Sequence, residues 1–256
     1  MLTFLRKIRR SLIGSSSFQK YILYAIGEIA LIVIGILLAL QISNWNEVKK
    51  QEELERKTLR EIQNELSSTR GEIESDLDAH LSEIQDMERV FSHLLEKKPF
   101  ENNLWMSFIN ATRDHQVYLK SSAFENLKSV GLNIVSNDTL RREITEIYQL
   151  TLTRLQDRGD YNPKYDIESA FDPYVNRYLD IDDGSFNNMK IPGIEKEIKL
   201  YNGRIQDYNS FINDRGLLRE LQIQLLERSN KIRLHQRTVN QLNKVVKMIN
   251  DELSES

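Results

Sequence analysis

The chain has 256 residues and a formal charge of −3, with 35 Lys and Arg against 38 Asp and Glu, which excludes a globally basic nucleic-acid binder. The absence of cysteine excludes disulfides, thiolate metal sites and cysteine nucleophiles, and only 10 glycines and 4 prolines favour long helices over sandwiches or collagen-like repeats. The charge is uneven, since residues 1–20 hold five basic side chains and no acid, which leaves −8 for the remainder.

In chain order, the first element is a short basic tail (1–20). Leu5, Ile8 and Leu12 share one helical face, Arg6, Lys7, Arg9 and Arg10 surround it, and Gly14 to Ser17 breaks the run. The pattern predicts a short helix lying on the anionic inner leaflet of a membrane, with those four cations as its leaflet contacts. A nucleic-acid arm would need interleaved aromatics or a partner module, so no nucleic-acid partner is expected.

The second element is Tyr21–Ile42, 22 residues with one formal charge. At about 1.5 Å per residue it covers roughly 33 Å, the depth of a bilayer core. Tyr21 and Tyr24 at one end and Trp45 at the other fall where amphipathic rings prefer the membrane interface. A cleaved signal peptide would have a shorter apolar region and a small-x-small cleavage pair before the charged run, so a retained transmembrane helix over 21–44 is expected. Lys and Arg counts tie at five on each flank, but a short tail without acids is hard to translocate. The expected topology is therefore an inner-membrane protein with a cytoplasmic N-terminus and a periplasmic body. Inside the span, Glu28, Ile32, Gly35 and Ala39 lie on one helical side. Small residues there allow close helix approach and a protonated Glu28 can hydrogen-bond across it, which predicts a helix–helix contact; the alternative is that Glu28 snorkels or bonds Tyr24 locally.

From residue 45 to 98 the chain reads as one long stalk helix. Apolar residues fall at Leu59, Ile62, Leu66, Ile73, Leu77, Leu81, Ile84, Met87, Phe91 and Leu94, with the 73–77–81 spacing reading as a four-residue stutter in a heptad pattern. Asp76, His80 and Glu83 could pair on a metal, but a solvated helix face accounts for them better.

Residues 99–202 contain all four prolines and 13 of the 21 aromatic rings, which predicts a small folded head. Helices are expected at about 103–112, from a Ser122/Glu125 capping box to Gly131, after an Asn137-Asp138 cap, and at about 166–179. Phe171, Tyr174 and Tyr178 form an aromatic stripe, read either as core or as a candidate recognition surface. Asp180 to Gly184 has the glycine one place too early for an EF-hand and Ile191 where the closing glutamate belongs, so turn capping is preferred to calcium.

The returning helix (203–256) has the cleanest repeat. Leu218, Leu225, Ile232, Val239, Val246 and Leu253 form one seam set, and Leu221, Arg228, His235, Leu242 and Ile249 the other. Arg228 and His235 are expected to fix register, in preference to a metal or proton-switch role. The fold class expected is all-α: one transmembrane helix continuing into a long antiparallel coiled-coil hairpin with a small helical head inserted at its distal end. Parallel dimers of either long helix are the alternative. No phosphate loop, dinucleotide fingerprint, nucleophile elbow or HExxH arrangement occurs, so no enzyme activity, cofactor, catalytic residue or metal is expected.

The stretches Phe4 to Arg10, Lys20 to Ile29, Val33 to Leu37 and Ala39 to Glu47, with a second block at Ser122 to Gly131 and Asn137 to Tyr148, resemble an uncharacterised membrane-protein family of unknown function abundant in bacteroidete-type bacteria. The resemblance is specific over the first 47 residues and looser to about residue 150. It implies a single N-terminal anchor and a helical extramembrane part, and it makes Gly27, Glu28, Gly35 and Asn44 to Asn46 characteristic of the family. The function expected is a membrane-anchored scaffold or adaptor whose partners are the lipid bilayer and either a second copy or another membrane protein. The alternative is a sensory or regulatory subunit whose head binds a ligand.

Overall fold

The computed structural model describes residues 18–115, 117–160, 167–193 and 195–255. The leaflet contacts Arg6, Lys7, Arg9 and Arg10 and the side chain of Tyr21 lie outside the described residues. The described residues are 78% helical, and the chain divides into two compact units, residues 1–57 and 58–256.

The first unit is the N-terminal part of α1 (Phe18–Glu96), the one helix among the described residues long and apolar enough to cross a membrane. Its most apolar 18-residue window has a mean hydropathy of 2.6 and is entirely unburied. Apolar side chains from Leu23 to Ile42 face outward all round, a surface that suits hydrocarbon and not water.

In the second unit, residues 58–96 of α1 run against α8 (Arg215–Glu255) in opposite directions. Gln63 bonds Asn250, Arg70 Nη1 donates to Asn243 Oδ1 at 3.0 Å, and Lys97 donates to the Ile212 carbonyl. The inserted segment contributes α2 (Leu104–Ala111), α3 (Ser122–Val130), α4 (Asp138–Glu146), a π-helical turn Ile147–Leu152 leading into α5 (Thr153–Asp160), and α6 (Ile167–Tyr178). An antiparallel ribbon of β1 (Leu179–Met189) and β2 (Ile198–Ile205) follows, then α7 (Tyr208–Asn213).

Two apolar cores form. One joins Leu59, Ile62, Leu66 and Ile73 of α1 to Leu242, Val245 and Ile249 of α8 through Phe124, Leu127, Ile144 and Tyr148 of the insert. The other joins Met87, Val90 and Leu94 to Leu217 and Leu221 through Phe108, Phe171 and Phe211. The insert is therefore not confined to the far end of the long pair. Residues 122–155 pack along the first core, and only α2 and residues 167–213 build the second.

Several local expectations change. The all-α class is corrected to a mostly helical fold with one ribbon, whose Phe186 and Tyr201 pair across the strands. A two-stranded ribbon is marginal alone. This one is anchored by Ile205 in the second core and by Gly203, where an added Cβ would sit 2.5 Å from the Trp105 ring. The returning helix starts at Arg215, because Ile205 ends a strand and Tyr208 opens the short α7. The Ser122/Glu125 capping box is not made: Ser121 caps α3 without a side-chain bond, and Ser122 Oγ donates instead to Glu65 at 2.7 Å. Asn137 does cap α4, its side chain accepting from the backbone of Thr139 and Leu140. In the Asp180 to Gly184 segment, Asp182 accepts from the Gly184 N–H at 3.1 Å, a turn-capping bond.

Candidate functional site

On α1, the candidate contact residues Glu28, Ile32, Gly35 and Ala39 recur at helical spacing and all are exposed. A Cβ built on Gly35 would meet nothing within 4 Å, so this side of the helix is open to a neighbour. At the interface positions, Tyr24 is half-buried and Trp45 is exposed, with Lys49 Nζ lying 4.2 Å from the centre of its ring.

The second unit contains a different feature. The inward stripe of α1 is an unbroken double heptad, Leu59, Leu66, Ile73, His80, Met87, Leu94 interleaved with Ile62, Thr69, Asp76, Glu83, Val90, every position buried except the half-buried Asp76. No stutter occurs. The sequence pattern suggests one because Leu77 and Leu81 are apolar, yet Leu81 is 40% exposed while His80 and Glu83, one and two positions away, are 0% and 5% exposed. The solvated-face reading of His80 and Glu83 is thereby corrected. On α8 the buried stripe is Leu221, Arg228, His235, Leu242, Ile249 with Leu217, Gln224, Lys231, Thr238, Val245. Of the expected first seam set only Ile232 is buried; Leu218, Leu225, Val239 and Val246 are half-buried on the flank.

The two stripes thus enclose a polar layer between the two apolar cores, from Thr69 to Glu83 and from Gln224 to Thr238, about 15 residues or roughly 20 Å of helix. At its centre Arg228, fully buried, forms an ion pair with Glu83 and donates to the Arg113 carbonyl. Its Nη1 also donates to His80 Nδ1 at 3.2 Å. That places the His80 ring proton on Nε2, which is buried without a partner. His235 has the converse arrangement: Nδ1 donates to the Lys231 carbonyl at 2.9 Å, and Nε2 is a buried acceptor without a partner. The two rings meet edge to face, 5.3 Å between centres. The loop after α2 closes the layer from the side, with His115 Nε2 2.8 Å from Glu83 Oε1 and Lys231 Nζ donating to both oxygens of Asp114 at 2.6 and 2.8 Å.

Electrostatics follow from this packing. Burial, reinforced by the charge of Arg228, pushes the His80 pKa from 6.5 down to about 3, and burial also lowers that of His235. The Arg228 guanidinium is lowered by burial to about 10 and stays charged at neutral pH. Nearby, Glu65 is pulled upward by burial but held below its ordinary value by hydrogen bonds from Tyr148 Oη at 2.6 Å, the Ala123 N–H and Ser122. The fourth histidine, His93, sits apart in the second core region, 3.1 Å from Glu101 and 3.3 Å from the Tyr208 hydroxyl.

The sequence could not show this convergence, because His80, His115 and His235 lie far apart along the chain. Among the described residues no group of three or more His, Asp and Glu side chains is arranged to hold a metal ion. The aromatic stripe does not form an open surface: Phe171 and Tyr178 are core, ringed by Phe108 and Phe211, and Tyr174 is half-buried with its hydroxyl against Gly216. Phe171 and Tyr178 thus share the second core with Phe108 and Phe211, with Trp105 and Tyr174 packed against it, and of the two readings of the stripe the packing is that of core.

Over residues 28–178 the chain matches a family described as a family of unknown function (DUF6090). No curated protein and no solved structure matches it.

Proposed function

The chain belongs to this family of unknown function, and from that premise we propose that it is a non-enzymatic, single-pass inner-membrane scaffold or adaptor, with its N-terminus in the cytoplasm and its body in the periplasm. The observation that carries the reading is the bare apolar stretch of α1 with Glu28, Ile32, Gly35 and Ala39 along one side. Hydrocarbon satisfies every part of such a surface except the Glu28 carboxyl, which a facing helix can bond where small residues let it approach. The heptad stripes of α1 and α8 support an antiparallel coiled-coil hairpin as the rigid part of the scaffold.

The test is crosslinking in native membranes. Glu28→Leu combined with Gly35→Leu is expected to abolish a crosslinked homo-oligomer or the co-purification of a membrane partner. Unchanged crosslinking overturns the contact. Orientation is read from a cysteine placed at Ser256 in this cysteine-free chain. Labelling by a membrane-impermeant thiol reagent in intact cells is expected, and labelling only after lysis reverses the topology.

A second reading, a regulatory subunit that passes a change in its body to a membrane partner, is favoured by the polar layer. Burying Arg228, Glu83, His80 and His235 inside a helical bundle costs stability that an apolar layer would not. A pure spacer has no need of it.

A further inference from the structure

Each long helix carries two competing faces across the polar layer, offset by one residue in the same sense. On α1 the buried His80 and Glu83 and the half-buried Asp76 are each followed by an apolar neighbour, Leu81, Ile84 and Leu77. On α8 the buried Gln224 and Thr238 are followed by the half-buried Leu225 and Val239, and the buried Lys231 by Ile232, which already packs inside. Both faces share the same apolar ends, Ile73 and Met87 on α1 and Leu221 and Leu242 on α8. We propose that this body is a two-register device: α1 and α8 pack either through the polar face seen here or, after each turns by somewhat less than the roughly 100° between neighbouring residues, through the apolar face beside it, and protonation of His80 and His235 selects the apolar register.

Helix geometry sets the direction of the turn. Glu61, Glu65, Ser68 and Glu72, spaced four, three and four, meet the insert through Asn126, Tyr148 and Lys120 and mark one flank of α1. Gln63 and Arg70, which bridge to Asn250 and Asn243, mark the other, and seven-residue steps continue that flank as Leu77, Ile84 and Phe91. Because the helices are antiparallel, the offset places the apolar neighbours of both on this same flank. Turning inward only the part of this flank within the polar layer, Leu77 to Ile84, with Gln63 and Arg70 kept on their partners, carries His80 and Glu83 toward the loop of Asp114 and His115, where the His115 side chain is already 39% exposed and water can reach.

The present register leaves buried atoms without partners at His80 Nε2, His235 Nε2, the Arg228 Nε, Gln224 Oε1 and the Thr69 and Thr238 hydroxyls. Buried polar groups are ordinarily satisfied, and a dense run of orphans marks a packing that is held, not preferred. What holds it is the Arg228–Glu83 pair and the loop, through Asp114 on Lys231, His115 on Glu83 and the Arg113 carbonyl on Arg228.

Protonation works against that hold. His80 faces Glu83 on its own helix, Arg228, Lys231 and His235 on α8, and Asp114 and His115 on the loop. His235 faces Asp76 and His80 on α1, Lys231 on its own helix and Asp114. A proton on either ring adds a cation beside Arg228 and Lys231 in a dry layer. The turned register relieves this by moving the rings toward water and burying Leu77, Leu81, Leu225 and Val239 instead. The inference rests on packing alone and does not depend on the adaptor reading.

Nitroxide labels on Leu81→Cys and, separately, Ala79→Cys in the full-length detergent-solubilised chain test it. Acidification from about pH 7.5 to about pH 5, on either side of the ordinary histidine pKa, is expected to immobilise the Leu81 label and mobilise the Ala79 label. The paired variant His80→Leu/His235→Leu is expected to abolish both changes. His235→Gln, which keeps a neutral polar group in place, is expected to reduce them and serves if the pair does not fold. Mobilisation of both labels means acid loosening, no change at either means a single register, and a Leu81 label already immobile at the higher pH means that face is covered by another copy. Each of these outcomes overturns the proposal.

Discussion

Arg228 has the largest fully buried side chain in the body, and its partners come from three different segments: Glu83 and His80 on α1 and the Arg113 carbonyl on the loop. Each partner covers part of the guanidinium's desolvation cost, and none could do so alone. Truncation is therefore not the mirror image of adding the group. Arg228→Ala leaves Glu83, only 5% exposed, without its buried cation and held only by the histidine rings beside it. The expected loss is about 3–5 kcal/mol, the usual cost of breaking a buried pair from one side, read as a lowered urea midpoint. Removing both charges together, as Arg228→Met with Glu83→Leu, is expected to recover most of that loss, since apolar groups of similar volume replace such pairs with little penalty. Equal destabilisation by the single and the double variant would mean that packing of the Arg228 stem, not charge, is the relevant interaction.

At the scale of elements, α4 shows how local chemistry can specify structure without help from the fold. Asn137 holds an extended backbone and its side-chain oxygen accepts from the N–H groups of Thr139 and Leu140 at 3.1 Å, satisfying donors that the first helical turn cannot. Asn137→Ala is expected to cost about 1 kcal/mol, seen as a lower thermal midpoint with the helix content unchanged before the transition. This cap, the α3 terminus at Gly131 and the long helices were legible in the sequence because each signal lies within a few residues of its effect. Register was not. The apolar pattern of the stalk follows Leu77, Leu81 and Ile84, whereas the fold buries His80 and Glu83, and nothing nearby in the sequence reveals that Arg228 and Lys231 will arrive opposite them. The same blindness affected Ser122, whose capping signal is real but whose hydroxyl is taken by Glu65, 57 positions earlier. The ribbon of β1 and β2 was missed because its strands are short in apolar alternation and depend on a distant contact, Trp105 on Gly203.

Over the whole molecule, buried acids and buried histidines push stability in the same direction with pH, but in separate windows. Glu65 and Asp214 have folded pKa values held below their ordinary carboxylate range, burial opposing and hydrogen bonds prevailing, so the stability they supply is present above pH of about 4.5 and is lost as pH falls through their folded values. His80 and His235 are kept neutral by burial, with His80 lowered from 6.5 to about 3. Below their ordinary pKa the unfolded chain binds protons that the folded body refuses, so stability declines from about pH 6.5 downward, at up to about 1.4 kcal/mol per pH unit for each proton. Urea midpoints of the detergent-solubilised chain should therefore begin to fall near pH 6.5, well above the range in which Glu65 and Asp214 titrate. In His80→Leu/His235→Leu the decline should begin only near pH 4.5, where the carboxylates take over. A wild-type midpoint that stays flat down to pH of about 5 would show that the folded body takes up the protons as readily as the unfolded chain, either within this layer or in a turned register already populated near pH 6.5.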